Sequence, residues 1–578
     1  MSTEARRSAP TREAPLGTHR APGVRLERLD AAPQARVAVR TDIAGFVGIA
    51  ERGPLHRAVR VDGWDQFRGV FGAHLAHAYL AYAVEGFFAN GGNQCWVVRV
   101  ADPATAAPAG AALPGADGIA GLALRASSPG GWGNRVEYRV GPVGPERFTL
   151  TLRFGEVVEV WHGLAARAEA VSGRDPERAL NDPVTGSRLV TASWTRPPEG
   201  APPPLPVRGW LTGGVDGLSA LRPEHFASEA ENWGVGALTS VDDVALVSVP
   251  DCWPRPTTPA RRPRRPRDPC ATAVPATERP TAPGKSSVDG GLTVDGGSTV
   301  DGGDAPVRFT AQETAGLHQA VLRHCERRAD RVALLDAPPA PACGTVITPH
   351  DVVAWRRQFH SSFGALYHPW LVVLDPRTGG TATVAVPPSG HVAGLCARTD
   401  RTAGVHRAPA GEALRLAVDT TSTVDDDVHG SLNSKGINVI RSARGVRVLG
   451  ARTLADSDSE WRHLSVRRLV LALEKQITVD TAWTVFEPNS PDLRGELERV
   501  VSGVLEEVWR SGRLAGGTRE EAYQVRCDAA VNPERELAEG RLTCLVGVNP
   551  PAPAEFVVLR VVRTPAGVQV EEPGSGRG

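Results

Sequence analysis

Three apolar runs in this chain each close on an aspartate: "VDDVALVSVPD" at 241–251, "RVALLDAP" at 331–338 and "SSFGALYHPWLVVLDP" at 361–376. A near-continuous apolar run of strand length marks a strand buried on both faces, and such strands belong to parallel sheets covered by helices. A helical pattern lies between the first two. Thr310-Ala-Gln-Glu313 reads as a capping box, and Leu317, Val321 and Cys325 continue one helical face. Strand–helix–strand alternation predicts a doubly wound α/β domain.

The same grammar occurs upstream. "IAGFVGI" at 43–49 predicts a buried strand. Leu75, Tyr79, Val84 and Phe87, with Leu80 and Phe88 beside them, predict a helical stripe, stopped by "NGGNQ" before a strand over 95–100. "PGVRLERLD" at 22–30 places Val24 and Leu26 between charges, the pattern of a short half-buried strand on a polar, Pro/Ala-rich arm. A lone strand needs a sheet to join. Residues 131–240 mix short β runs with Pro-rich loops and predict an inserted, mainly-β region. Residues 252–306 are Pro/Arg-rich and then repeat Val-Asp-Gly-Gly, a composition that cannot bury a core and predicts a linker or surface loop.

The C-terminal part differs again. "GINVIRSARGVRVLG" predicts β-structure broken at glycine. Val466, Leu469, Val470, Leu473 and Ile477 predict an amphipathic helix, and Ser490-Pro491 opens another that Gly512 stops. Thr518-Arg-Glu-Glu521 is a second capping box. "LTCLVGV", "EFVVLRVVR" and "VQVEEP" predict closing strands with an edge-like pair at 555–571.

Chemistry is harder to find than structure. Gly284-Lys285-Ser286 ends like a phosphate loop, but Arg279 stands where that loop requires glycine. Asp336, His350 and Ser389 follow the chain order of subtilisin-type proteases, yet a triad is recognised by geometry, and Ser389 sits in "VPPSGH", a rigid turn. All three fit turn and strand-end positions better, and Asp425, Asp426 and Asp427 fit a solvated turn. His391 and His406 read as satisfied structural histidines. The acidic repeats lack calcium-loop spacing. "RRPRRPR" has no interleaved aromatics for a nucleic-acid platform. None of the eight cysteines forms a CxxC pair, which argues against a zinc ribbon. The expectation is no catalytic residue, no metal and no cofactor.

Charge agrees. Lys+Arg and Asp+Glu are both 65, so long-range attraction to nucleic acid or an acidic membrane is not expected, and self-association is not opposed by net repulsion. An N-terminus without an apolar h-region and the lack of an 18-residue apolar window predict a cytoplasmic chain with reduced, buried thiols.

A family resemblance carries the reading further. "PGVRLERLD", "AGFVGIAERGP", "FFANGGNQCWVVRV" and the turn "SPGGWGN" at 128–134 resemble the N-terminal part of contractile tail sheath proteins. "HCERRADRVALLDAP", "YHPWLVVLD", "VPPSGHVAGLCARTDRTAGVHRAPA", "LNSKGINVIR", "GVRVLGARTL", "VRRLVLALEKQI", "VFEPN" and "PAEFVVLR" are similar to the family's central and C-terminal blocks, in order. The resemblance covers roughly 23–134 and 240–563.

It implies an α/β multidomain chain. Residues 1–40 would be a flexible arm with a linking strand, and 41–104 an N-terminal α/β part. Residues 105–240 would be an inserted mainly-β outer domain. A non-catalytic, doubly wound, subtilisin-like α/β domain would span 241–408, interrupted at 252–306. An α+β sheath domain with a terminal linking strand would span 409–578. The implied function is a structural subunit of a phage-like contractile injection system, stacked as hexameric rings around an inner tube. A phage or prophage tail sheath is the alternative, and a serine hydrolase on the α/β domain the remote one. Implied partners are further copies of the chain, an inner tube protein, and baseplate and terminator or cap proteins, with no nucleic acid and no membrane insertion. Val24, Leu26, Phe556, Val558, Leu559 and Val561 would lie on linking strands, and Arg467 and Arg468 would face the tube. Assembly would be cytoplasmic.

Overall fold

The computed structural model describes residues 38–114, 120–144, 147–165, 175–195, 207–253, 308–339, 347–551, 557–564 and 567–571. Val24, Leu26, Phe556 and the 252–306 segment beyond Trp253 lie outside the described residues.

One mixed sheet organises the body Val39–Gly578. Its strands, in chain order, are β1 (Ala44–Gly48), β2 (Ala58–Val61), β3 (Cys95–Arg99), β4 (Leu246–Ser248), β5 (Val332–Asp336), β6 (Gly364–His368), β7 (Ile437–Ser442) and β8 (Val446–Val448). Across the sheet they run β2-β3-β1-β4-β5-β6-β7-β8. The strands from β3 to β7 are parallel, and antiparallel β2 and β8 close the two edges. Alternation along each strand explains why the central runs are apolar throughout. Phe46, Val97, Leu246 and Leu334 join a core with α1 (Leu80–Ala89) and α3 (Ser389–Thr402). Their neighbours Val47, Val98, Val247 and Leu335 join the opposite core with α2 (Ala311–Arg328). Both faces are covered, so neither parity can be polar.

The α2 capping box forms as its spacing predicts: Thr310 Oγ1 accepts from Glu313 N at 3.2 Å, and Glu313 Oε2 accepts from Thr310 N at 2.7 Å. Three expectations need correction. The run 361–376 is two strands, because Pro369 cannot donate a ladder hydrogen bond. β6 stays in the main sheet, and Leu371–Leu374 forms a separate antiparallel sheet with Thr383–Val386 and Ala417–Thr420. Leu75 and Tyr79 precede α1 rather than belonging to it. Asp425, Asp426 and Asp427 are exposed but open a helix rather than form a turn: Asp425 Oδ1 accepts from Val428 N at 2.8 Å and caps the helix Asp426–Ser434.

Residues 110–210 build two antiparallel sheets around their own apolar cluster, from Ala109 to Leu211. Leu218, Leu221, Phe226, Val235 and Leu238 pack instead into the α/β core, so the inserted body ends short of 240. β7 and β8 extend the main sheet past 408 for the same reason: Ile437, Val439 and Ile440 are fully buried in it. A third core joins α4 (Leu464–Thr481) and α5 (Pro491–Arg510) to a four-stranded sheet, ordered β9 (Tyr523–Arg526), β10 (Leu542–Val548), β11 (Val557–Thr564) and β12 (Gly567–Glu571).

α1 and α3 cross at backbone contact. A Cβ on Gly390 would overlap the Ala83 backbone, and one on Gly394 would overlap the Phe87 carbonyl. Close-packed interiors cannot absorb such a methyl without moving the helices. Gly390→Ala is expected to lower stability by about 1–3 kcal/mol in denaturant unfolding, whereas Gly316→Ala, with nothing near its would-be Cβ, is expected to be neutral or stabilising.

Candidate functional site

Of the three residues singled out for catalysis, Asp336 and Ser389 meet and His350 does not join them. Asp336 closes β5, and Ser389 opens α3 beside it. Ser389 Oγ donates to Asp336 Oδ2 at 2.6 Å, Ser389 N donates to Asp336 Oδ1 at 2.8 Å, and Ser248 Oγ donates to Ser389 Oγ at 2.8 Å. All three residues are buried. His350 is exposed near the start of the helix Pro349–Arg356 and bonds neither of them. The carboxylate therefore caps the N-terminus of α3 rather than orienting a base, and the serine hydroxyl is occupied on both sides. Burial pushes Asp336 up to about 7, against the two hydrogen bonds from Ser389 that favour its charge.

A second buried aspartate does the same for α1. Asp251 Oδ2 accepts from Ile49 N at 2.7 Å, and Oδ1 accepts from Tyr79 N. Burial raises Asp251 to about 7 as well. His391 is not the satisfied histidine expected. It is buried against Gly86, neither ring nitrogen has a hydrogen-bond partner among the described residues, and burial lowers it to about 4, so it is held neutral. Among the described residues no group of His, Cys, Asp and Glu is arranged to hold a metal ion. No described helix is long and apolar enough to cross a membrane. Cys95, Cys252, Cys325, Cys396, Cys527 and Cys544 are buried free thiols.

Arg467 and Arg468 are buried rather than facing outward, at 1% and 3% exposure. The Arg467 guanidinium lies 3.8 Å from the Phe363 ring centroid and 4.8 Å from that of Trp461. Arg468 makes a bidentate pair with Asp400, Nη1 to Oδ1 at 3.0 Å and Nη2 to Oδ2 at 2.6 Å. Nη2 also donates to the Thr41 carbonyl at 3.0 Å, and Thr41 Oγ1 donates to Asp400 Oδ2 at 2.7 Å. Burial opposes the Arg468 charge, and Asp400 more than offsets it, so its pKa is raised. This network joins the start of the folded body, the last turn of α3 and the first turns of α4. Two adjacent arginines in an amphipathic pattern gave no sign of it, because their partners lie far away in sequence.

The terminal strands form a sheet rather than loose ends. β11 pairs with β10 over Leu542↔Arg563 to Val548↔Val557, and with β12 over Arg560↔Glu571 to Thr564↔Gly567. Val558, Leu559 and Val561 therefore sit on a strand bonded on both sides within the chain, opposite Gly547, Val546 and Cys544. The outer strands are β9 and β12.

Two outcomes test this geometry. Arg468→Met alone is expected to cost about 3–5 kcal/mol, because Asp400 is left buried and unpaired. Adding Asp400→Leu is expected to recover most of that loss in chemical denaturation. Asp336 holds its proton more tightly folded than unfolded, so ionising it opposes folding as pH rises from about 4 to about 7. Between pH 5 and 8, wild type is expected to lose roughly 2–4 kcal/mol relative to Asp336→Asn.

Comparison with known proteins locates these elements. The model for the phage tail sheath protein central domain matches residues 305–454, and that for the phage tail sheath C-terminal domain matches 456–564. The tail sheath protein of Vibrio phage KVP40 is 28% identical over 188 residues, which is 31% of this chain and 26% of that protein. The chain thus spans about a quarter of that curated relative's length. A sheath tail protein of Listeria innocua shares the fold with a TM-score of 0.57 at 12% identity, covering 92% of this chain and 96% of that one. The PVC sheath of an extracellular contractile injection system in its contracted state gives 0.51 at 18% identity, covering 93% and 96%. Residues 305–454 and 456–564 of this chain are thus similar to the central and C-terminal domains of phage tail sheath proteins.

Proposed function

We propose that this chain is the non-enzymatic structural subunit of a contractile sheath. Copies stack as hexameric rings around an inner tube, and contraction drives the tube through a target envelope. The observation that carries this reading is the consecutive match of two sheath domain models, over 305–454 and 456–564. The fold of the PVC sheath, an extracellular contractile injection system component, supports a phage-like injection device. The sequence similarity to a phage tail sheath supports a phage or prophage tail as the second reading.

The α/β body supports a subtilisin-like scaffold without its catalysis: parallel strands, helices on both faces, an aspartate at a strand end, a serine opening a helix, and no hydrogen bond from a histidine to either of them among the described residues. In this reading the body is a rigid holder for chain ends. A strand at 22–30 and the hairpin 557–571 join sheets of neighbouring copies by main-chain hydrogen bonds. The β10–β11 ladder is the pairing most suited to exchange, since a neighbour's strand in the same register replaces the same bonds at low cost. Contraction then releases interface free energy from a metastable extended state, with the chain ends as hinges. Inner tube, baseplate and terminator or cap proteins are the partners, and assembly takes place in the cytoplasm.

Negative-stain microscopy of the purified chain beside variants lacking residues 1–30 or 552–578 tests the proposal. Striated hollow cylinders are expected from the full chain and not from either truncation. Cylinders that survive both truncations would overturn linkage by terminal strands. Monomers from the full chain even with tube and baseplate present would overturn the sheath reading.

A further inference from the structure

A cavity of about 240 Å³ opens where the central sheath domain passes into the C-terminal one. Three separate segments wall it: the end of the helix Pro349–Arg356, the turn Ser434–Gly436, and the stretch Arg452–Arg462. They bring in Arg356, Arg357, Lys435, Arg452 and Arg462 against a single carboxylate, Asp456. His360 adds a further titratable donor.

The positive charge is not spent inside the chain. Asp456 is exposed and turned to His360, Oδ1 to Nδ1 at 3.3 Å. The Arg357, Lys435 and Arg452 side chains form no hydrogen bond or ion pair with the described residues. Arg462 Nη1 donates only to the Ser457 carbonyl, at 3.1 Å, and its Nε to His463 Nε2 at 3.1 Å. Arg356 is 7% exposed, and its terminal nitrogens go to the carbonyls of Phe359, Leu454 and Ala455. Its Nε has no partner among the described residues, and no carboxylate bonds it. A guanidinium buried to that degree ordinarily pairs with an acid. Gly436 keeps the wall low: it stands at φ +73°, and a Cβ there would come 3.4 Å from Arg356 Nη2.

We infer that this seam is a binding site for a multiply charged oxyanion. Guanidinium forks and an ammonium converging on one concavity match an anion with several acceptor oxygens, and one carboxylate would leave most of the donors unanswered. A ligand held by Arg356 and Arg357 of the central domain and Arg462 of the C-terminal domain bridges the two and stiffens their junction. Phosphate-type and polycarboxylate ligands share this chemistry.

Thermal unfolding of the full chain, titrated with sodium pyrophosphate or sodium citrate against sodium chloride at equal ionic strength, tests the site. A saturable rise in Tm is expected with at least one polyanion and not with chloride, and the stronger arm identifies phosphate-type or carboxylate ligands. Arg357 and Lys435 are exposed. The Arg357→Gln/Lys435→Gln variant is therefore expected to keep the chloride-baseline Tm and to bind pyrophosphate or citrate at least about tenfold more weakly by calorimetry. Equal shifts from chloride, or undiminished binding in the double variant, would overturn the site.

Discussion

The buried pair between Arg468 and Asp400 is the constraint on which the rest of this architecture depends. It joins α4 of the C-terminal part to α3 of the α/β body, and through Thr41 it fixes where the folded body begins. Removing two charges from water is costly and is repaid only when geometry and extra hydrogen bonds are complete. Here the fork is bidentate, the second Nη2 bond goes to a carbonyl, and the carboxylate takes a hydroxyl as well. An arginine suits this role and a lysine would not, because a point charge cannot satisfy both carboxylate oxygens in one plane. Arg467, one residue earlier, secures the neighbouring face through two aromatic rings, so α4 is held by both polar and apolar contacts.

A rigid junction of this kind gives the terminal strands a fixed seat. The four-stranded sheet β9 to β12 shares a core with α4 and α5, so its orientation follows the seam. Main-chain ladders are indifferent to which copy supplies a strand, and a neutral chain of this size meets no long-range repulsion when copies approach. The buried carboxylates of Asp336 and Asp251 each cap a helix that packs on the main sheet.

What the sequence reveals follows from how local each cause is. β4 and β5 are legible because both faces are buried and the run is apolar from end to end. The α2 capping box is legible because both partners lie within one turn. The run 361–376 misleads because apolarity continues across Pro369 although the ladder does not. α1 begins at Leu80 rather than Leu75 because its cap, Asp251, comes from 172 residues away. Arg467 and Arg468 read as surface charges because Asp400, Thr41, Phe363 and Trp461 are brought to them only by the fold. The cationic cavity is invisible in the sequence for the same reason, being drawn from three segments that share no motif.

In the proposed sheath the folded body serves to present chain ends to neighbouring copies. Helical reconstruction of an assembled sheath by electron cryomicroscopy tests it most directly, by tracing which copy supplies the strand beside Leu542–Val548. A strand from a neighbouring subunit is expected in that sheet, with the Arg468–Asp400 pair intact in every copy. A terminal sheet closed entirely within each subunit, with copies touching only through side chains, would contradict it.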